Sequence, residues 1–425
     1  MVAIPPSPMG EIVSRRASAL VAEALADTRV VLIEGARQCG KSTLATQLAQ
    51  ADGRRWATLD RAADRLAAQR DPTTFVRLAP TMAIDEVQRA PELLLAIKEL
   101  VDAQPDPGRF LLTGSSRPFG LRPVPDTLPG RMETVELWPL SQGEIDRRPD
   151  GFVRAAFALG PELRHDTAEE RPGYIERLLR GGFPGAVARS GLRRRRFHQS
   201  YLADLVNRDV MQLSAIERGA ELRALVRLLA ARSGQSLVTN SLANALRLSQ
   251  PTVARHLALL EEVFLIKHIP AWSRNLGARA VRTPKVAFVD SGVAAHVIGQ
   301  DAAGLSRLDS PLGHLLEGFV AMEIARQLTW ADQIIELSHY RTRDQLEVDL
   351  VLESARGQVV AIEVKAAATL NQADFRGLKH LADRLGDDLV AGYVLYLGPT
   401  TLPFGPKFRA VPVSALWEVS GPADA

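Results

Sequence analysis

The stretch "EGARQCGKST", Glu34–Thr43, constrains this chain more than any other. It follows Val30–Ile33, an apolar run suited to a buried parallel strand, and leads into the helical pattern "STLATQLAQ". Gly35 and Gly40 bracket the loop and Lys41 and Ser42 follow, which gives G-x-x-x-x-G-K-[ST] between a strand and a helix. Glycine lets such a backbone curl until its N–H groups face inward, toward phosphate oxygens. The segment Gly35, Ala36, Arg37, Gln38, Cys39, Gly40, Lys41, Ser42 and Thr43 is therefore expected to cradle ATP. Lys41 adds charge at the β and γ phosphates, Ser42 offers a hydroxyl to Mg²⁺, and the helix from Thr43 presents its positive end to the same anion. Cys39, the only cysteine, would contribute its amide. Its thiol is either open to oxidation, beside a lysine and a helix start, or simply a small tolerated side chain.

Two further apolar strands complete the pattern. "TMAIDEVQRAPELL" ends its strand in Asp85 and Glu86. An acid there holds Mg²⁺, usually through water, and its neighbour polarises the attacking water. "RFLLTGSS" ends in hydroxyls, of which Thr113 or Ser115 can sense the γ-phosphate or serve as ordinary turn residues. Arg131, after a glycine, reads either as phosphate-facing or as a surface arginine.

A chain of 425 residues, 46% hydrophobic and 24% charged, predicts two to three globular domains. No apolar run reaches the roughly 18 residues that cross a bilayer. The start "MVAIPPSPMG" lacks the pattern of a secretion signal, and one cysteine makes no internal disulfide. These features predict a cytoplasmic protein without a membrane partner. Net charge is +3 and the pI about 9.1, a mild basic bias that suits nucleic acid without demanding it. Only seven residues are lysine, so a lysine at a motif position carries more weight than one of the many arginines.

The middle of the chain begins with a connection of mixed charge, rich in proline and glycine. The run Arg193–Arg196 that follows suits phosphate contacts or a solvated helix end. Arg208 and Asp209 in "NRDV" suggest an ion pair between domains. "SLANALRLSQPTVARHLALLEEVFLI" then predicts a short helix, a tight turn and a second helix with Ser249 at its N-cap. Thr252, Arg255 and His256 are expected on its exposed face, with "IKHIP" and "KVAFVD" as wing strands. That order resembles a winged helix-turn-helix, which binds DNA or serves as a packing unit.

Toward the C-terminus, "GHLLEGFVAMEIARQL" predicts an amphipathic helix carrying Glu317. Strands follow at "IELSHYR", "QLEVDLVLE" and "QVVAIEVK", then a helix and a last strand, "LVAGYVLYLG". This order resembles the PD-(D/E)xK nuclease core. Asp349 lies on one strand, and Glu363 and Lys365, two apart, share a face of the next. Two carboxylates from neighbouring strands can bind Mg²⁺ while a lysine positions water. Glu317 is a further candidate ligand, and Glu347 shares a face with Asp349. The competing reading is cross-strand ion pairing.

"GARQCGKST", "IDEVQRAPELL", "LLTGSS" and "GRMETVELWPLSQGEI" together are similar to the predicted AAA-superfamily ATPases of bacteria and archaea, and "GGFPGAV", "YLADLVNRDV" and "EVDLVLE…IEVK" extend the resemblance over nearly the whole chain. Members of that family carry a C-terminal domain of unknown function with a restriction-endonuclease-like look. They often have Pro and Val where this loop has Ala36 and Cys39. The resemblance implies an α/β chain in which Gly40, Lys41, Ser42, Asp85 and Glu86 serve a P-loop ATPase. Rings with an arginine supplied in trans, common among AAA relatives, make a homo-oligomer an expectation as well. The expected divisions are an ATPase domain at 1–145, a helical connection at 146–235, a winged helix at 236–300 and a nuclease-like domain at 301–425. Two functions follow from this: ATP turnover coupled to nucleic-acid processing, or an ATP-driven switch whose nuclease-like end binds protein.

Overall fold

The computed structural model describes residues 12–115, 128–206, 219–275 and 283–422. Contacts divide the chain into two compact units. The first is Met1–Leu140 with Phe183–Ala188 and Glu262–Phe264; the second is Ser141–Gly182, Arg189–Glu261 and Leu265–Ala425. All three regions expected after residue 145 fall largely in the second unit. Arg208 and Asp209 lie outside the described residues.

The first unit is built on five parallel strands: β1 (Val30–Glu34), β2 (Arg55–Thr58), β3 (Met82–Asp85), β4 (Phe110–Gly114) and β5 (Met132–Glu136), in the order β2-β3-β4-β1-β5. Strands buried on both faces read as continuous apolar runs, as β1 and β4 do. On one face Val30, Leu32, Met82, Ile84, Phe110 and Leu112 meet the helix Leu93–Ala103 through Leu93, Leu94, Ile97, Leu100 and Val101. Those helix positions recur at three- and four-residue intervals, one stripe of an amphipathic helix. Because β4 lies between β1 and β3, the ends of all three strands converge at one edge of the sheet.

The second unit holds a six-stranded mixed sheet: β8 (Ile335–Arg341), β9 (Glu347–Ser354), β10 (Val359–Lys365), β11 (Leu389–Tyr396), β12 (Leu402–Pro403) and β13 (Phe408–Pro412), in the order β12-β13-β11-β10-β9-β8. β8, β9 and β10 pair antiparallel, while β11 runs parallel to both β10 and β13. The sequence reading closes this sheet at β11. β13 goes beyond it: its five residues contain Arg409 and end in Pro412, too short and mixed for a period to show. The helix Leu312–Thr329 also departs from expectation. It buries an almost unbroken stretch from Gly318 to Gln327 rather than one stripe. Its polar residues are paired inside: Glu323 accepts from the Gln142 N–H at 3.0 Å and from Arg326 at 2.8 Å. Preceding this helix are helices Gly219–Ala231, Thr239–Leu246 and Gln250–Glu262 and an antiparallel pair, β6 (Ile266–Ile269) and β7 (Lys285–Phe288). Ser249 caps the helix Gln250–Glu262 through Thr252 N–H at 3.2 Å. His256, expected to be exposed, is 2% exposed, because the helix turns it inward beside Leu257 and Leu260. Among the described residues no helix is long and apolar enough to cross a membrane.

Candidate nucleotide site and carboxylate cluster

The loop between β1 and the helix Lys41–Ala51 needs its glycines for different reasons. A Cβ on Gly35 would sit 2.0 Å from the Leu137 carbonyl oxygen, so the loop closes against that carbonyl only without a side chain. Gly40 takes φ 108°, a region that strains other residues. Ala36 and Cys39 are buried, Arg37 and Thr43 half-buried and Gln38 exposed. The Cys39 thiol is buried and donates to Leu137 O at 3.2 Å, which withdraws it from solvent. The Lys41 ammonium donates to Gly35 O and Ala36 O, both at 2.9 Å.

The acidic pair lies at the adjoining strand end. Ser42 Oγ donates to Asp85 Oδ1 at 2.7 Å, Thr113 Oγ1 donates to the same oxygen at 2.6 Å, and Thr58 Oγ1 donates to Oδ2 at 3.1 Å. Burial raises the Asp85 carboxyl above its ordinary value, and the hydroxyls of Thr113 and Ser42 oppose that shift. Glu86 Oε1 accepts from Ser115 Oγ at 2.6 Å, its other oxygen meets Gln88, and its N–H donates to Thr113 Oγ1 at 3.0 Å. Thr113 and Ser115 thus each hold one member of the acidic pair. The hydroxyl–carboxylate convergence of Ser42 and Asp85 is the donor set that Mg²⁺ takes beside a nucleotide, so these residues fit the ion.

Arg131 is corrected as a phosphate contact. Parallel pairing of Val30 with Met132 puts it at the start of β5, a strand's length (about 15 Å) from the loop. There it pairs with Asp102, Nη2 to Oδ2 at 3.1 Å. Arg15, which the motif reading passes over, does reach the loop: its guanidinium donates to Cys39 O at 2.8 Å and Trp138 O at 2.6 Å.

The second unit gathers Glu317, Glu347, Asp349, Glu363 and Lys365, but with an unforeseen member. Lys285, 2% exposed at the start of β7, places its ammonium 2.7 Å from Asp349 Oδ1 and 2.7 Å from Glu347 Oε1. Burial alone would lower its pKa, yet the charges of Asp349 and Glu347 hold it above the usual lysine range. The other Asp349 oxygen accepts from Val364 N–H at 2.9 Å. Lys365 Nζ lies 2.7 Å from Glu363 Oε1, and Glu363 Oε2 is buried without a hydrogen-bond partner among the described residues. Burial and the neighbouring Asp349 push both Glu317 and Glu363 up to about 8. Among the described residues no group of three or more His, Cys, Asp or Glu is arranged to hold a metal ion. Glu317, Asp349 and Glu363 are the acids that the sequence reading offers to Mg²⁺. The Lys285 ammonium sits on the Asp349 oxygen that such an ion would take.

Arg194 and Arg195 of the basic run pair with Glu176 at 2.7 Å and Asp301 at 3.0 Å. Two of the four arginines therefore serve the unit's own surface.

Against this geometry, residues 27–146 match the family described as AAA domain, residues 171–304 a domain of unknown function (DUF8612), and residues 312–416 a domain of unknown function (DUF4143). An uncharacterized protein of Mycobacterium tuberculosis is 29% identical over 362 residues, 84% of this chain and 74% of the relative. One of Haemophilus influenzae is 22% identical over 288 residues, 67% of this chain and 65% of the relative. Among solved structures the chain is similar to a Walker-type ATPase of Pyrococcus abyssi, with TM-score 0.40 and 16% identity over 69% of this chain and 98% of that one. The AAA-domain match falls on the first unit's parallel sheet and its glycine loop, so residues 27–146 are similar to AAA domains in both sequence and strand arrangement.

Proposed function

We propose that this chain hydrolyses ATP at the Gly35–Thr43 loop and couples the turnover to a nucleic acid bound by its second unit. The convergence of Lys41, Ser42, Asp85 and Glu86 at one sheet edge carries the reading. A triphosphate entering the loop competes with the Gly35 and Ala36 carbonyls for the Lys41 ammonium. Backbone N–H groups of the curled loop and the start of the helix Lys41–Ala51 bind its anionic oxygens. Ser42 and Asp85 would hold Mg²⁺, which supplies neutralisation of phosphate charge when bound. The Glu86 carboxylate, oriented by Ser115, receives a proton from the attacking water. Lys41→Ala is expected to abolish phosphate release; unchanged turnover overturns the assignment.

The nucleic-acid part is supported by the helices Thr239–Leu246 and Gln250–Glu262 followed by the β6–β7 pair, the order of a winged helix-turn-helix. Stimulation of ATPase rate by DNA or RNA tests it, and a rate indifferent to both favours the second reading. In that reading the nuclease-like half binds protein and cuts nothing. The Lys285 ammonium between Asp349 and Glu347 favours the non-cleaving part. Mg²⁺-dependent cleavage lost in Asp349→Ala or Lys365→Ala would reverse that conclusion.

A further inference from the structure

A cleft of about 560 Å³ opens in the second unit, bordered by residues 272–275, the turn between β8 and β9, and the helix Arg376–Leu385. Four arginines line it, Arg274, Arg341, Arg343 and Arg384, against the single acid Asp344. The whole chain carries only +3, so this is a concentration of charge rather than an average surface. Arg274 pairs with Asp388 outside the lining, and Arg341 donates to Ser236 Oγ at 2.9 Å. No hydrogen bond or ion pair joins the side chains of Arg343 and Arg384 to another described residue, and both are exposed. Guanidiniums left without an internal acid, facing a shared cavity, are the donors that phosphate oxygens take in pairs.

The floor of the cleft is aromatic. Trp272 meets Tyr340 edge-on with centroids 6.0 Å apart, and the His380 ring stacks on Tyr340 at 6.1 Å and 25°. Polar ends of this stack are satisfied: Trp272 Nε1 donates to Glu353 at 3.0 Å, and His380 Nε2 lies 3.2 Å from the Tyr340 hydroxyl. The half-buried His380 is its outermost ring. Glu347 is 3.9 Å from Arg341 and belongs to the Lys285 cluster, so the cleft borders that cluster without sharing its carboxylates.

Open guanidiniums around a fixed aromatic floor, in a space of nucleotide size, match the chemistry of single-stranded nucleic acid: phosphates for the arginines and a base face for the ring. We infer that this cleft is where the chain holds single-stranded nucleic acid, with Arg343 and Arg384 on backbone phosphates and a base against His380. The inference rests on the nucleic-acid reading above and adds to it the place and the strand form.

The test is fluorescence anisotropy of a labelled 20-nucleotide oligothymidylate with the full chain. The variants are Arg343→Glu/Arg384→Glu and, as an equal charge change elsewhere, Arg193→Glu/Arg196→Glu. The cleft variant should bind at least tenfold more weakly, with a salt slope smaller by about 1.4 for two lost phosphate contacts. The control should change less than threefold, and both variants should keep the wild-type circular dichroism spectrum and urea unfolding midpoint, which report an intact fold of the second unit. Equal loss in the two variants, or none in the cleft variant, overturns the cleft while leaving nucleic-acid binding standing. Absence of binding by the wild type overturns the nucleic-acid reading itself. Displacement of the oligonucleotide by thymidine monophosphate at equal nucleotide concentration overturns the polymer in favour of a free nucleotide.

Discussion

Glu86 has φ 60°, a left-handed conformation that few residues other than glycine adopt. Strain of this kind persists where neighbours over-determine it, and Thr113 and Ser115 both bond to this residue. The twist turns the Glu86 side chain away from the one Asp85 follows, so two adjacent acids meet different partners. Glu86→Gln preserves size and removes the proton acceptor. Its turnover should drop at least about 100-fold with ATP affinity within a few-fold of wild type, read by phosphate release and nucleotide binding in parallel. A parallel loss of affinity would instead make Glu86 part of the binding site. Lys285 is the other decisive residue. Lys285→Ala leaves Asp349 and Glu347 without their buried counter-charge, and should lower stability by about 3–5 kcal/mol in urea unfolding. A loss under about 1 kcal/mol would mean water or another cation replaces the ammonium.

At the scale of elements, the Gly35–Thr43 loop is held from outside by carbonyl contacts. Arg15 grips Cys39 O and Trp138 O, and Leu137 O fills the space beside Gly35. Gly35→Ala should therefore push the loop off the Leu137–Trp138 segment. Nucleotide affinity should fall at least tenfold while the sheet, whose strands do not use that Cβ position, stays folded by circular dichroism. Retained affinity would show the loop can shift without cost. In the second unit β7 does a similar job in reverse: a two-stranded element sends one lysine into the carboxylates of β9. The short strand and the larger sheet are thereby joined by charge as well as by packing.

Across the molecule, the buried acids give stability a pH signature. Glu317 and Glu363 are raised from 4.5 to about 8, so between those values the folded chain holds protons the unfolded chain has released, and stability falls as pH rises toward 8. His198 and His339 are held down to about 4 by burial, so they lower stability as pH drops below 6.5 and are silent above it. Between about pH 6.5 and 8 the acids act alone. The urea midpoint of the second unit should decline across that window, and Glu317→Gln should flatten the decline; a level wild-type profile would refute the burial of these carboxyls. The shape of the glycine loop was legible in the sequence, because its two glycines, Lys41 and Ser42 fall within nine residues between a strand and a helix. The strand ends at Asp85 and Glu86 were readable for a similar reason, since an apolar run ending in acids is a local pattern. Arg131 misled, because a local glycine-arginine pair says nothing about which end of a parallel strand it occupies. Lys285 opened an apolar strand in a chain of seven lysines, a signal too slight to name its partners. Chain order alone determined the glycine loop between a strand and a helix, the acidic strand end and most, though not all, of the strands of the second sheet. Only the tertiary structure decided which charge met which carboxylate, because ion pairs between residues 64 apart depend on how strands stack and not on spacing along the chain.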